Sequence, residues 1–191
     1  SFVLYNEAGS TLTNSGNAIA GGENAIVNIT RTSDSLSQVN RGTITATNGY
    51  SAIKTASTGS NSNGKWIWNT ETGVINGINP DAPLIDLGRG YNFANAGTIN
   101  VQGDGSVAIS GGTTSYTVQL VNSGIINVGT EQGKADGSNG EGLIGIKGNG
   151  SATTINNTKD GVINVYADNS WAFGGSTKAI VNNGIINLLC N

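Results

Sequence analysis

The most regular feature of the chain is an alternation of apolar and polar residues that follows a recurring glycine. In the clearest copies, the second and fourth residues after the glycine are aliphatic, and the residue between them is asparagine. This alternation is typical of a strand with one buried face. Four copies share it: Ile99-Asn100-Val101, Ile126-Asn127-Val128, Ile163-Asn164-Val165 and Ile186-Asn187-Leu188.

The clearest copies of the repeat number six, and in each an asparagine precedes the glycine. The asparagine stands two residues before the glycine in four copies and four residues before it in the two copies that carry an insertion. Both residue types tolerate a left-handed backbone, so the combination predicts a sharp corner. The six clearest glycines are spaced by 31, 24, 27, 37 and 23 residues, which indicates one structural turn with loop insertions of variable length. They are Gly42, Gly73, Gly97, Gly124, Gly161 and Gly184.

Two further short alternating segments follow in most units, such as Val107-Ala108-Ile109 and Tyr116–Val121. Three short strands per turn cannot bury their inward residues without neighbouring turns. We therefore predict an all-β fold, a right-handed parallel β-helix (β-solenoid) of about eight turns that forms a single segment over residues 1–191. A β-sandwich with glycine-rich turns is the alternative, but it does not explain the recurring phrase. Stacking of like on like predicts an interior aliphatic ladder of Ile99, Ile126, Ile163 and Ile186, and an amide ladder of the corner asparagines.

The composition narrows the function classes. Gly, Asn, Thr and Ser make up half of the 191 residues, and only 11% are charged, with a net charge of −3. Sparse basic residues argue against nucleic-acid binding and against contact with an anionic membrane surface. No stretch approaches the roughly 20 apolar residues that span a bilayer. The single cysteine, Cys190, cannot form an internal disulfide.

The phrase Val121–Val128 and the segment Asn95–Gly112 resemble the passenger repeats of Gram-negative autotransporters, the type V secreted proteins. The resemblance covers about Tyr5 to Leu188. It implies a fragment of a longer passenger domain at the bacterial cell surface, anchored to the outer membrane through a C-terminal β-barrel outside this segment. It further implies an adhesin that binds host surface glycans or extracellular-matrix proteins, or that self-associates with another copy between cells.

Aromatic side chains beside polar segments are the candidate ligand-binding residues, because an aromatic ring can stack on a sugar or anchor a protein partner. Trp68 precedes a corner at the position that Val39, Val121 and Val181 hold in other copies, so we predict that it lies in the core. The ligand-binding candidates are Lys65, Trp66, Tyr91 and Trp171.

No catalytic residue, metal ligand or cofactor is predicted. The chain has no histidine, which excludes a Ser-His-Asp triad within it. A polysaccharide lyase or hydrolase is an alternative because such enzymes also use parallel β-helices, and Asp81, Asp86 and Arg89 form its one candidate group. The two prolines of that stretch predict a loop instead. A passive stalk that displays a distal domain is the third possibility.

Overall fold

The computed structural model describes residues 4–6, 11–14, 25–29, 36–47, 49–55, 65–78, 82–88, 90–112, 117–132 and 142–190. Within these ranges, side chains are described from residue 39 onward, with the exception of Lys65. The described chain folds into three parallel β-sheets. Each strand pairs with the strand three places further along the chain, which is the topology of a β-solenoid.

The first sheet ends at the asparagine corner of each turn. It contains β1 (Leu4–Asn6), β4 (Leu36–Asn40), β7 (Lys65–Asn69), β10 (Tyr91–Asn95), β13 (Val118–Asn122), β16 (Thr153–Asn157) and β19 (Ala179–Asn182). The second sheet begins just after the corner glycine. It contains β2 (Thr11–Asn14), β5 (Thr43–Thr47), β8 (Val74–Ile78), β11 (Thr98–Gln102), β14 (Ile125–Val128), β17 (Val162–Val165) and β20 (Ile185–Leu188).

The third sheet closes each turn. It contains β3 (Ala25–Ile29), β6 (Ser51–Thr55), β9 (Ile85–Asp86), β12 (Val107–Ser110), β15 (Ile144–Asn149) and β18 (Trp171–Ser176). The described strands form six sets of three, from β1–β3 to β16–β18, and are followed by β19 and β20. The parallel β-solenoid with three strands per turn is confirmed, and the described residues contain fewer turns than the expected eight. The right hand of the coil stays a prediction.

The interior is made of aliphatic columns that run from turn to turn. Ile99, Ile126 and Ile163 are register partners and fully buried, and Ile186 packs against them, so the predicted aliphatic ladder is confirmed. In the last turn, Ile180 of β19 is 46% exposed and Leu188 of β20 is 70% exposed, because no further described strand stacks on them. The burial of each turn therefore depends on its neighbours, as expected for a solenoid.

The corner asparagines form the predicted amide ladder. Each Nδ2 donates to the Oδ1 of the next asparagine at 2.7–2.9 Å, and also to the carbonyl oxygen of the corner glycine in its own turn at 3.0–3.3 Å. These side chains are buried up to Asn157, so the bonds satisfy amides that water cannot reach. The ladder consists of Asn40, Asn69, Asn95, Asn122, Asn157 and Asn182.

The corner glycines are required for a reason other than the predicted left-handed backbone. None of the six is among the described glycines with positive φ, and the one such described residue that is not glycine is Asn169. A Cβ on Gly97 would lie 2.2 Å from the carbonyl oxygen of Gly73, and a Cβ on Gly184 would lie 2.2 Å from that of Gly161. Glycine stands at the corner because the backbones of successive turns approach too closely for a side chain.

Candidate contact surfaces

The outward side of the second sheet, which we call the ladder face, carries a second column of amides. Asn100 Nδ2 donates to Asn76 Oδ1 at 2.8 Å, Asn127 to Asn100 at 2.7 Å, and the series continues through Asn164 and Asn187 at 2.9 and 2.8 Å. At the other end, Asn76 donates to Thr45 Oγ1 at 3.3 Å. This outer ladder was missed at the sequence level, although its signal was the asparagine that recurs between two aliphatic residues.

The outer ladder differs from the corner ladder in its spare bonding capacity. A carboxamide has two N–H donors and two acceptor lone pairs on its oxygen. Asn100 and Asn127 each spend one donor and one lone pair within the ladder and are only partly buried. Each amide therefore retains one donor and one acceptor for a partner or for water, repeated about every 4.8 Å along the stack.

The ladder face carries no charged side chain over its described outward positions from β5 to β20. Beside the outer ladder runs a column of β-branched residues: Thr43, Val74, Thr98, Ile125, Val162 and Ile185. A shallow depression of about 260 Å³ lies on the other side of the ladder. It is lined by uncharged groups that include Thr45, Asn76, Ile78, Asn100, Gln102 and Thr130.

The third sheet has a different outward chemistry. Lys54 and Asp86 are register partners on β6 and β9, and their charged groups lie 3.6 Å apart. Lys147 of β15 pairs in register with Ser110 and adds a further charge to the same sheet. Among the described outward side chains of the three sheets, the charged ones therefore lie on the third sheet.

The structure places the sequence-predicted tryptophans on the outside. Trp68 is 39% exposed on β7, which corrects the prediction that it lies in the core, and Trp66 is partly exposed on the same outward side. We call Trp66 and Trp68 the tryptophan platform. Trp171 is 53% exposed on β18 of the third sheet, where no further described strand stacks on it.

The other two predicted site residues do not join the platform. Lys65 begins β7, but its side chain lies outside the described part of the structure. Tyr91 is in register with Lys65 and is only 1% exposed, so its ring fills the interior. Its hydroxyl is buried without a hydrogen-bond partner among the described residues. Tyr91 therefore offers no surface to a ligand in this conformation, and it is left out of the contact surfaces below.

The burial of Tyr91 leads to a stability prediction. We expect Tyr91→Phe to raise the free energy of unfolding by about 1–2 kcal/mol, because it removes a buried hydroxyl that has no partner. Urea denaturation of both proteins at neutral pH measures the difference. A loss of more than about 1 kcal/mol would contradict the prediction, since it would show that the hydroxyl makes a stabilising bond.

The same residue predicts a pH dependence. Burial raises the pKa of the Tyr91 phenol above its ordinary value. The unfolded chain then releases this proton first as the pH rises past about 10, so the folded state loses stability on the alkaline side. We expect the difference in melting temperature between Tyr91→Phe and the unaltered protein to widen between pH 9 and pH 11. A constant difference would contradict this prediction.

The groups considered for catalysis and metal binding contribute little in the described chain. Of the candidate carboxylate group, Asp81 and Arg89 lie outside the described residues, and Asp86 faces Lys54. No cluster of three or more potential metal-ligating side chains occurs in the part of the chain that the structure describes. The same part contains no helix with the length and hydropathy needed to cross a bilayer.

These features define the described chain as a repeat-built β-solenoid whose ladder face carries no charged side chain at its described positions. The model of the BigA fourth domain matches residues 1–191, and the chain belongs to this family. It is 77% identical over all 191 residues to a Salmonella typhimurium protein that is named as a surface-exposed virulence protein, BigA. The chain spans only 10% of the length of that protein. No solved structure matches the chain.

Proposed function

We propose that this chain is a segment of a cell-surface adhesin and that the ladder face is an adhesive surface. The partners are host surface glycans, extracellular-matrix proteins or another copy of the same chain. The observation that carries the proposal is the continuous uncharged ladder face, with unspent amide donors and acceptors in each turn. The name of the Salmonella relative, which describes a surface-exposed virulence protein, supports a location on the bacterial surface.

Repetition is what makes such a face adhesive. A single exposed amide exchanges one hydrogen bond with water for one with a partner, so its net contribution is about 1 kcal/mol or less. Several turns that engage together convert weak contacts into avidity, because each later contact forms within an already bound complex. The missing charges matter as well, since a partner can approach without the cost of desolvating an ion.

The location and anchoring in this proposal follow the family resemblance of the sequence. The segment is displayed outside the cell and is held at the outer membrane by a C-terminal β-barrel elsewhere in the longer protein. It has no enzymatic activity, no cofactor and no nucleic-acid partner.

We expect that charges placed on the ladder face abolish adhesion. In a double variant, Val74→Glu and Ile125→Glu, two carboxylates stand two turns apart beside the outer ladder. A partner would have to desolvate these charges, so we expect at least a tenfold loss in attachment of chain-coated beads to epithelial monolayers and in aggregation between beads. Melting temperature and circular dichroism establish that the variant is folded.

A matched control carries the same added charge at exposed turn positions, in the double variant Gln132→Glu and Ser151→Glu. We expect this control to attach and aggregate like the unaltered chain. Equal loss in both variants would contradict a role for the ladder face. Beads with the unaltered chain that neither attach nor aggregate would contradict the adhesin and favour a passive stalk. New reducing or unsaturated ends in pectic or glycosaminoglycan polysaccharides would instead favour the enzyme.

A further inference from the structure

All three tryptophans of this chain lie at least partly on the surface. Tryptophan gains more from burial than any aliphatic side chain, yet the buried core cluster of the described residues contains Tyr91 and Phe93 but no tryptophan. Two of the three, Trp66 and Trp68, stand two residues apart on one strand and point to the same outward side of the first sheet. Two such exposed indoles on a regular strand call for a partner.

The surroundings of the platform are open on one side and polar on the other. Trp68 lies between Val39 and Ala94 in register, and Val39 is fully buried although it occupies an outward position. Ala94 has only a methyl group, so the space beside the Trp68 indole on the next turn is not filled by a large side chain. Trp66 is followed in register by Asn92, and Gln119 stands one turn beyond it.

The polar column beside the platform has hydrogen-bonding groups to offer. Asn92 Oδ1 accepts the backbone N–H of Gln119 at 2.8 Å, which holds the Asn92 side chain in place. Gln119 itself is exposed and projects its carboxamide from β13. Asn92 is only 3% exposed, whereas Gln119, which lies about 10 Å from Trp66 with turns about 4.8 Å apart, presents its amide at the surface.

Size and charge decide what kind of partner fits. The side chains described at outward positions of β7, β10, β13 and β16 are all uncharged, so this described surface offers no counter-charge to an ionic ligand. Trp68 is 39% exposed and Trp66 is partly exposed, so the two indoles offer much less than the about 800 Å² that a standard protein partner buries on each side. A small, neutral ligand with one apolar face and several hydroxyl groups matches the platform and its polar column.

We propose that the tryptophan platform binds a neutral oligosaccharide of two or three pyranose units. The apolar C–H face of one pyranose stacks on Trp68, and the next unit lies along the stack toward the exposed Gln119, whose amide bonds its hydroxyl groups. This site lies on the first sheet, separate from the ladder face on the second sheet. It rests on the proposed adhesin function, for which it names one ligand class.

Tryptophan fluorescence offers a direct test, because the chain has three tryptophans. In a Trp171→Phe background, the tryptophan emission comes only from Trp66 and Trp68. We titrate this protein with neutral β-linked oligosaccharides, N-acetyllactosamine and cellotetraose, and expect a saturable change in intensity or wavelength with at least one of them. Calorimetry on the protein with all three tryptophans supplies the affinity without relying on fluorescence.

Substitutions at the platform and elsewhere distinguish loss of ring stacking from loss of any exposed tryptophan. We expect Trp68→Ala to weaken binding at least tenfold and Gln119→Ala about threefold, while Trp68→Phe retains most of the affinity because an aromatic ring remains. Trp171→Ala is the matched control, since it removes an even more exposed tryptophan from another sheet, and we expect it to leave the affinity unchanged. Melting temperatures show that each variant is folded.

The possible failures can be told apart. Saccharide binding that survives the double variant Trp66→Ala and Trp68→Ala within twofold would overturn the site, as would an equal loss in Trp171→Ala. If neither oligosaccharide binds while beads still attach through the ladder face, the saccharide site is wrong and the adhesin stands. Loss of adhesion in the Trp68→Ala variant without any saccharide binding would indicate a protein partner and would also overturn the saccharide site.

Discussion

Replacement of Asn122 by alanine is expected to lower the free energy of unfolding by at least about 3 kcal/mol. Asn122 is fully buried at the centre of the corner ladder. Its Nδ2 donates to Asn157 Oδ1 at 2.8 Å and to Gly124 O at 3.2 Å, and its Oδ1 accepts from Asn95 at 2.9 Å. Alanine leaves the Asn157 Oδ1 and one N–H of the Asn95 amide without a partner, and each such buried group costs about 1–3 kcal/mol.

Asn127 is a matched control in the same turn. It is also a ladder asparagine with two amide neighbours, but it lies on the outward side and is only partly buried. Water can take over the bonds that its amide makes, so we expect Asn127→Ala to cost about 1 kcal/mol or less. Urea denaturation and calorimetry of both variants measure the contrast. Similar losses at the two positions would refute the distinction between a structural corner ladder and a solvated outer ladder.

The second large effect is expected for Gly124→Ala, which should lower the free energy of unfolding by more than about 3 kcal/mol. A Cβ on Gly124 would lie 2.2 Å from the carbonyl oxygen of Gly97 and 2.6 Å from the carbonyl carbon of Ala96. Both are backbone atoms of the preceding turn. That turn cannot move away without breaking the bond from Ile125 N to Gly97 O, which is 2.8 Å long. Losses of this size are uncommon for single substitutions and indicate a specific steric mechanism.

Gly174→Ala serves as the control for this substitution. A Cβ at Gly174 would meet the Cγ2 and Cδ1 atoms of Ile144 at 3.2 and 3.3 Å, and such side-chain ends can shift by a few tenths of an ångström. We therefore expect a change within about 1 kcal/mol. If Gly124→Ala proves as mild as Gly174→Ala, close backbone approach is not what requires glycine at the corner.

The tryptophans show how far a positional comparison of repeats can be carried. Trp68 does occupy the position of Val39 and is aligned through Ala94 with Val121, as the repeat predicted. That position faces outward, and Val181 in the same column is itself exposed. Valine misled the prediction because β-branched residues are favoured on both sides of a strand. The repeat therefore predicted correctly which residues Trp68 stacks with, but not the side of the sheet on which they lie.

Two features of the contact surfaces had a clear signal in the sequence, and one did not. The recurring asparagine between aliphatic residues marked the outer ladder, and the i, i+2 spacing of Trp66 and Trp68 placed both on one side of a strand. The burial of the Tyr91 side chain had no such signal, because its neighbours Asn92 and Phe93 are also buried. A strand buried on both sides shows no alternation from which its inward residues can be read.

The sequence by itself determined the repeat, the three-strand turn, the aliphatic interior column through Ile99 and Ile126, and the corner ladder. It could do so because the two-residue period of a strand fixes which residues share a side, and because identical units must stack like on like. Only the tertiary structure decided how many turns form, which sheets are free of charge and which way Trp68 faces. It also showed that the corner glycines are set by backbone approach. These properties depend on register between turns and on loop lengths, which local alternation does not encode.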